Sequence, residues 1–488
     1  MSSDPRRPPT PAGERGCGTS VAVDGDRARS VSALLDRNAR LFGDHVALTH
    51  AGATYSWRDL HGLVQKTLAD LRARGVAPGE RLAVPLSASI ESVALLWAAA
   101  ALGATIVALD PSAPREIWEA RATAAQATWL VVPQTGTDPR LARLGGVAPS
   151  AKAAPAPLTV VFTSGSGGRP KAVPLWSKQY LASAEATVAA LALVATDRWL
   201  AVMPMFHVGG LAILFRALVS GGGVELHERF VPRLVADRLR GGEISFCSLV
   251  PTMLARLLPL LEPSGADQMS RLLLGGAPVP SQLLRVAEQL GIGVYRAYGM
   301  TETASMIALA RPGEEGAEPL PGVELRIEGT KQSGEILVRG PMVSPAATDR
   351  EGWLHTGDVG FLDRAGRLHV RGRLKNIVIT GGENVSPEEV ERVLEEHEQI
   401  AEVGVAGVPD PEWGELLVAL VVRRARSRAL GSDAELTESV RSFCRRRLER
   451  YKVPKRVFTV AALPRTATGK IDRSALTALA RSLAQAAG

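Results

Sequence analysis

The sequence predicts an α/β protein. Its large N-terminal part has mostly parallel sheets covered by helices, a β-rich stretch follows, and a small α+β part closes the chain. From about Ser30, short apolar strand-like runs alternate with helical patterns, as in parallel sheets with helices on their faces. After about Leu320 the apolar period becomes two, the texture of antiparallel strands. From Gly372–Lys375 onward, GRLKNIVITGGENVSPEEVERVLEEH begins a new strand-and-helix pattern. The domains are therefore 29–373 and 374–488.

The elements follow in order. The chain has 488 residues, more than one hydrophobic core organises. Its first twenty residues, MSSDPRRPPTPAGERGCGTS, are rich in Pro, Gly and Arg without an apolar centre. They read as a disordered extension over 1–28, not a signal peptide. RLAVPL, ATIVALD, ATWLVVP, LTVVFTS and RWLAVMP read as strands, with ESVALLWAAAAL and LASAEATVAALALV as helices. Ser92–Leu109 is uncharged and nearly long enough to span a bilayer. It is alanine-rich, broken by Gly103 and β-branched thereafter, which predicts a buried helix, a glycine cap and a central strand, and no membrane span. VAPSAKAAPAP, within Gly145–Pro157, is a surface connection. VELRIEG, GEILVRG and GRLHVRGR alternate around turns at Lys331–Gly334 and Asp363–Gly366. Ser386, Pro387 and Glu389 predict a capping box with proline at the first helical position. Val390, Val393, Leu394 and His397 share the following helix face.

Composition excludes several classes. The formal net charge is +7, and the arginines are dispersed apart from Arg445–Arg447, a solvated helix face. No basic stripe interleaved with aromatics marks a nucleic-acid footprint; attraction of an anionic substrate or cofactor suffices. Cys17, Cys247 and Cys444 are far apart and form neither metal spacing nor a disulfide framework. A reducing cytoplasm is the expected setting.

Six stretches carry candidate chemistry. Val160–Val173, VVFTSGSGGRPKAV, passes from a strand into glycines and hydroxyls and ends at Lys171. It is a phosphate cradle or a solvated turn. It is not a Walker loop, because Pro170 precedes the lysine and Ala172 follows it. RAYGMTETAS offers Glu302 among hydroxyls, a hard-cation ligand set or a capped turn into a helix. GWLHTGDVG places Asp358 between glycines, for a ribose diol or as a turn aspartate. LLLGGAPVP ends a strand at Gly275-Gly276, where a flat base or merely a loop fits. MPMFHVGGLAILFRALVSGG contains His207 and Arg216. Arg216 interrupts an apolar helix, so a carboxylate of this protein or of a ligand meets it, or it snorkels from an exposed face. LPRTATGKIDR sets Lys470 on a glycine-containing turn, where taken alone it reads as a surface lysine.

Taken together, TSGSGGRPK, YGMTE, HTGD, GRLKN…GGEN and PRTATGK resemble the ordered motifs of the adenylate-forming superfamily, which includes acyl-CoA synthetases. The resemblance runs from about residue 30 to the end. WLAVMPMFHVGG, SLVPTMLARLL, LLLGGAPVP and YGMTETAS are similar to its o-succinylbenzoate–CoA ligase branch. The resemblance implies two helix-covered sheets, a mobile C-terminal domain, and ATP, Mg²⁺ and CoA as cofactors, with a small carboxylate as substrate. It implies that Thr163, Ser164, Gly165, Ser166, Gly168 and Lys171 wrap the β- and γ-phosphates. Glu302 binds Mg²⁺ with Thr163. Tyr298 stacks on adenine beside Gly276 and Ala277, and Gly299, Met300 and Thr301 line the nucleotide. Asp358 holds the ribose with Arg373. Lys375 is the hinge, Gly381 and Gly382 line the CoA channel, and Lys470 bridges the substrate carboxylate and the α-phosphate. His207 lies where acyl group and thiol meet, and Arg216 matches the branch's cation for a second carboxylate.

The pattern departs from the superfamily at Gly167, where a second hydroxyl is usual; one lost donor to a charged oxygen costs about 1.5–3 kcal/mol if nothing replaces it. Ala172 replaces a usual glycine, and GPMVSPAATDRE lacks the usual Gly-Tyr pair. Three functions compete: a succinylbenzoate–CoA ligase in menaquinone biosynthesis, a ligase for an aryl or fatty acid loaded on CoA or a carrier protein, and a nucleotide-binding relic. Retention of Glu302, Asp358, Arg373 and Lys470 opposes the last. A homo-oligomer is compatible with each.

Overall fold

The computed structural model describes residues 30–132, 140–144, 155–163, 171–261, 271–330, 333–380, 383–410, 413–424, 432–448, 450–466 and 469–486. The extension 1–28 with Cys17, the loop positions Ser164, Gly165, Ser166, Gly167 and Gly168, the pair Gly381 and Gly382, and the Lys375 side chain lie outside what is described.

Among the described residues the strands form four sheets. In the largest, Val294–Met300, Arg271–Leu274, Phe246–Leu249, Arg198–Ala201, Gly223–Leu226 and Val46–His50 run parallel, in that order. Ser305–Ala310 and Glu318–Pro319 extend one edge antiparallel, and Ala53–Ser56 the other. In the second sheet Trp129–Val132, Arg81–Pro85, Thr105–Leu109 and Thr159–Thr163 are parallel. Arg140–Arg143 and Lys171–Leu175 are its antiparallel edges. Every strand expected in this region forms.

The helices Ile90–Leu102, Ser177–Leu191 and Val208–Ser220 join both sheets in one continuous core. Trp97 meets Phe215 edge-on at 4.9 Å, and Tyr180 stacks on Phe215 at 4.4 Å. The buried Tyr180 hydroxyl shares a 2.8 Å hydrogen bond with Thr159, which satisfies its polar end. Gly103 caps Ile90–Leu102 in the left-handed region, and Thr105–Leu109 follows fully buried. No helix among the described residues is long and apolar enough to cross a membrane. The second expected helix starts earlier than its apolar run, at Ser177, and stops at Leu191, where Ala192 turns left-handed.

The third sheet is antiparallel, from Glu324–Thr330, Ser333–Arg339, Leu354–Leu362 and Leu368–Arg373. Asp363 organises its last turn by accepting from the Ala365 and Arg367 amides, each at 2.9 Å. The fourth sheet, drawn from residues 378–459, packs against Pro387–Leu394, Asp433–Arg445 and Arg473–Ala486 with cores of its own.

The expected capping box at Ser386 does not form. Ser386 is the N-cap residue, with Pro387 next, but its hydroxyl makes no cap bond. It is drawn instead to the Arg371 carbonyl and the Glu388 carboxylate, each at 3.0 Å.

The helix Val208–Ser220 is held hard at its C-terminus. Gly221 caps it at φ +79°, and a Cβ there would meet the Phe42 ring at 2.5 Å. Gly221→Ala is therefore expected to lower the unfolding free energy by about 1–3 kcal/mol, read from urea titration. An unchanged midpoint would show that the Phe42 ring yields freely.

Candidate active site

The antiparallel pair Thr159–Thr163 and Lys171–Leu175 brings Thr163 opposite Lys171. The glycine-rich residues between them thus connect two adjacent strand ends. Lys171 donates from Nζ to Glu302 Oε1 at 3.3 Å. Glu302 sits in a 3-10 turn, Thr301–Thr303, after the strand Val294–Met300. That turn leads into the strand Ser305–Ala310, not the helix that was one reading of the motif. Gly299 is obligatory, since a Cβ would lie 2.1 Å from the Ser305 carbonyl oxygen. The Ser344 amide donates to the Glu302 carbonyl at 2.8 Å, while its hydroxyl donates to the Pro174 carbonyl at 2.7 Å. The carboxylate is thereby tied to the strand that carries Lys171.

Asp358 lies within the strand Leu354–Leu362, not in a turn, and is buried. It accepts from the Tyr298 hydroxyl at 2.8 Å and pairs with Arg373 Nε at 2.7 Å. Burial pushes its carboxyl upward, against the opposing pull of Arg373 and the Tyr298 hydroxyl. Burial, then the Asp358 charge, raises the Tyr298 phenol well above its usual value. Thr356 positions the strand by donating to the Ile336 carbonyl at 2.7 Å and accepting from the Asp358 amide at 3.0 Å.

Lys470 comes from the far C-terminal end. Its turn is closed by the Thr466 amide on the Lys470 carbonyl at 2.8 Å, with Gly469 at φ +79°. Its Nζ donates to the Gly276 carbonyl at 2.6 Å. Gly276 itself is left-handed at φ +79° and precedes Ala277 in the loop after Arg271–Leu274. Lys470 keeps part of its surface in solvent, yet the crowding of protein around its ammonium, then nearby Arg373, lowers it. His207 is the N-cap residue of Val208–Ser220. Burial first, then Lys470, pushes its imidazole down, with Asp110 opposing and Arg121 adding. His207 and Lys470 therefore share one electrostatic environment.

Arg216 is buried, at 3% exposure, so it does not snorkel. No carboxylate among the described residues lies within ion-pair distance of it. Its Nη2 donates to Ser305 Oγ at 2.9 Å, its guanidinium carbon stands 5.1 Å from the centre of the Trp199 ring, and its Nε has no hydrogen-bond partner. Burial pushes its pKa down to about 10, which leaves it charged at neutral pH.

Four groups are thus assembled: Lys171 with Glu302, Asp358 with Tyr298 and Arg373, Lys470 with Gly276 and His207, and Arg216 with Ser305. Together they offer two cations for phosphate oxygens, a hard oxygen ligand, a carboxylate for a diol, and a deep cation for an anion. Trp199 and Ser305 were not singled out in the sequence; an aromatic in a buried strand and a serine after a motif give no signal of their own. Thr356 was quoted in a motif but given no role.

The AMP-binding enzyme family matches residues 35–154 and 142–346, and the AMP-binding enzyme C-terminal domain matches residues 389–470. A 2–succinylbenzoate–CoA ligase of Bacillus cereus is 33% identical, over 92% of this chain and 98% of its own. Among solved structures, o-succinylbenzoate CoA synthetase of Bacillus subtilis in complex with the acyl-adenylate intermediate OSB-AMP overlays with a TM-score of 0.78. It is 30% identical, over 91% of this chain and 97% of its own. A double mutant of that enzyme bound with its product analogue OSB-NCoA overlays less well, with a TM-score of 0.64 at 30% identity, over 91% and 98%. The chain belongs to the AMP-binding enzyme family.

Proposed function

We propose that this protein is an AMP-forming acid–CoA ligase that converts o-succinylbenzoate, ATP and CoA to o-succinylbenzoyl-CoA, AMP and pyrophosphate, a step of menaquinone biosynthesis. The observation that carries the substrate is Arg216, a buried cation with a free donor and, among the described residues, no carboxylate beside it. A substrate with a second carboxylate supplies the missing anion. The relatives named as ligases of this acid support the same reading.

The residues fit the reaction. Glu302, beside Lys171 and tied to its strand, suits a divalent cation because such ions prefer carboxylate oxygen; Thr163 is assigned as its second ligand. Mg²⁺, when bound, neutralises phosphate charge. The phosphate loop with Lys171 holds the β- and γ-phosphates, Asp358 and Arg373 the ribose, and Tyr298, Gly276 and Ala277 the adenine. The ionised carboxylate of the acid attacks the α-phosphorus. The bond to the β-phosphate breaks and pyrophosphate leaves, so no general base is required. Lys470 stabilises the charge that crowds at the α-phosphate, by electrostatic preorganisation. CoA thiol then attacks the acyl carbon, the bond to AMP breaks, and the thiol proton passes to solvent. His207 stands at that junction. A hinge at Lys375, between 29–373 and 374–488, exchanges Lys470 for the face that carries Gly381 and Gly382. The better overlay on the acyl-adenylate complex than on the product-analogue complex supports reading this structure as the adenylate-forming arrangement. The two described cysteines, unpaired and buried, support a cytoplasmic setting.

AMP and thioester formation, measured across o-succinylbenzoate, benzoate, salicylate and octanoate, should favour o-succinylbenzoate strongly. Preference for a monocarboxylate would refute the assignment of Arg216. Arg216→Leu should raise KM for o-succinylbenzoate by on the order of tenfold or more and leave a monocarboxylate within about twofold; equal effects on both would count against the clamp. Lys470→Ala should slow pyrophosphate release by about a hundredfold or more while thioester still forms from supplied acyl-adenylate. Loss of both half-reactions would contradict the two-arrangement mechanism. Because the lowered ammonium of Lys470 in the ligand-free protein loses its proton at a lower pH than an ordinary lysine, kcat/KM for adenylation, which reports the free enzyme, should fall on the alkaline side before free lysine titrates. A rate–pH profile that stays flat through pH 10 would exclude this.

A further inference from the structure

Gly372 stands in an ordinary strand backbone, outside the left-handed region, so its conformation does not require glycine. Its surroundings do. A Cβ there would lie 2.4 Å from Ser386 Oγ and 2.5 Å from Glu388 Oε2. Ser386 and Glu388 belong to the C-terminal part, after Lys375, whereas Gly372 closes the last strand before it. Both side chains are buried, at 5% and 8% exposure. Glu388 Oε1 accepts from Asn376 Nδ2 at 2.6 Å, and Arg473 lies 3.5 Å from the same oxygen. With Oε1 so held, Oε2 is turned toward Ser386 and Gly372. Ser386 in turn reaches the Arg371 carbonyl at 3.0 Å, and Arg392 reaches the Val370 carbonyl at 3.4 Å.

We infer that Gly372, Ser386 and Glu388 form a latch that holds the C-terminal domain in the adenylate-forming arrangement, with Glu388 as a positioning residue for that half-reaction. This rests on the acid–CoA ligase reading and its rotation at Lys375. Every contact to Arg371, Gly372 and Val370 crosses the hinge and must break when the domain turns. The contact from Asn376 to Glu388 lies wholly beyond the hinge and travels with the domain, so the latch is carried preformed. A methyl group at Gly372 penalises the latched arrangement alone. It adds no strain to its own backbone, and its three nearest atoms, all of Ser386 and Glu388, leave it once they have swung away.

The test uses the full chain with Cys17→Ser and nitroxide labels at Asp237→Cys and Ser482→Cys, both exposed and on opposite sides of the hinge. Double electron–electron resonance is recorded without nucleotide, beside the rates of both half-reactions. The parent should show one dominant distance. Gly372→Ala and Glu388→Ala should each populate a second distance. Each should slow pyrophosphate release by about tenfold, the effect of a 1.4 kcal/mol population shift, and leave thioester formation from supplied acyl-adenylate within about twofold. Ser386→Ala, which only removes an atom, should act in the same direction and guards against misfolding of the other two. The Gly372→Ala/Glu388→Ala double variant should be no worse than the worse single variant, since the methyl group has less to strike. An unchanged distance distribution in Gly372→Ala and Ser386→Ala, or equal slowing of both half-reactions, would overturn the latch. If the parent releases pyrophosphate with none of the acids, the ligase reading fails, and the distance distributions still decide whether these residues hold the domain.

Discussion

A guanidinium buried with no carboxylate beside it among the described residues is the constraint on which the helix Val208–Ser220 depends. Arg216 is compensated in part. One hydrogen bond to Ser305 contributes about 1–3 kcal/mol, and the Trp199 ring about 0.5–2 kcal/mol. The free Nε leaves the rest uncompensated, because burying a charge without a full set of partners is costly. The helix that carries it accordingly cannot drift. Asn38 and Arg37 bind its last carbonyls, at Leu218 and Val219, and Gly221 is wedged beneath Phe42. Arginine suits the position better than lysine. Its ordinary pKa is high enough that burial brings it only to about 10, whereas a buried lysine is readily neutralised.

The nucleotide side follows the opposite strategy. Its charged groups are paired with one another through contacts that are easily exchanged. The Lys171 side chain is 57% exposed, so its pair with Glu302 is worth about 0–1 kcal/mol. Arg373 is as open where it meets Asp358. A polyphosphate with its metal can take Lys171 from Glu302 and leave each charge with a stronger partner. The deep cation is fixed, while the shallow ones hold one another through contacts that a larger charge can replace. Asp358 belongs to both regimes: buried like Arg216, it needs the Tyr298 hydroxyl and Arg373 to offset its desolvation.

The parallel sheets, the glycine-capped helix before Thr105–Leu109 and the antiparallel region were legible because each rests on local periodicity or a turn residue. The need for glycine in YGMTE was legible because it answers to close backbone approach, at Gly299. What the sequence concealed depended on contacts between distant segments. Ser386 looked like a helix cap, yet the Arg371 carbonyl and Glu388 compete for its hydroxyl. Arg216 raised the right question, but no pattern within its helix could reveal that Ser305 and Trp199 are its partners among the described residues. Gly372 looked like one more glycine in a strand. Its reason lies beyond Lys375, at Ser386 and Glu388.

That last distinction bears on how strongly the two parts can be joined. Among the described residues, hydrogen bonds across the boundary include Lys470 on the Gly276 carbonyl, Ser386 on the Arg371 carbonyl, Arg392 on the Val370 carbonyl and Arg424 on Gln282 at 2.8 Å. At about 1 kcal/mol net for each hydrogen bond, they sum to a few kcal/mol. A gap of that size makes one arrangement dominant, and a ligand with different affinities for the two arrangements can still reverse it. In the proposed cycle, a larger apolar interface would lock the lysine in place after the first half-reaction, and a smaller one would leave Lys470 away from the Gly276 carbonyl. A glycine whose only role is to admit a serine and a carboxylate fits this requirement. It gives close contact and directional hydrogen bonds while burying almost no apolar surface.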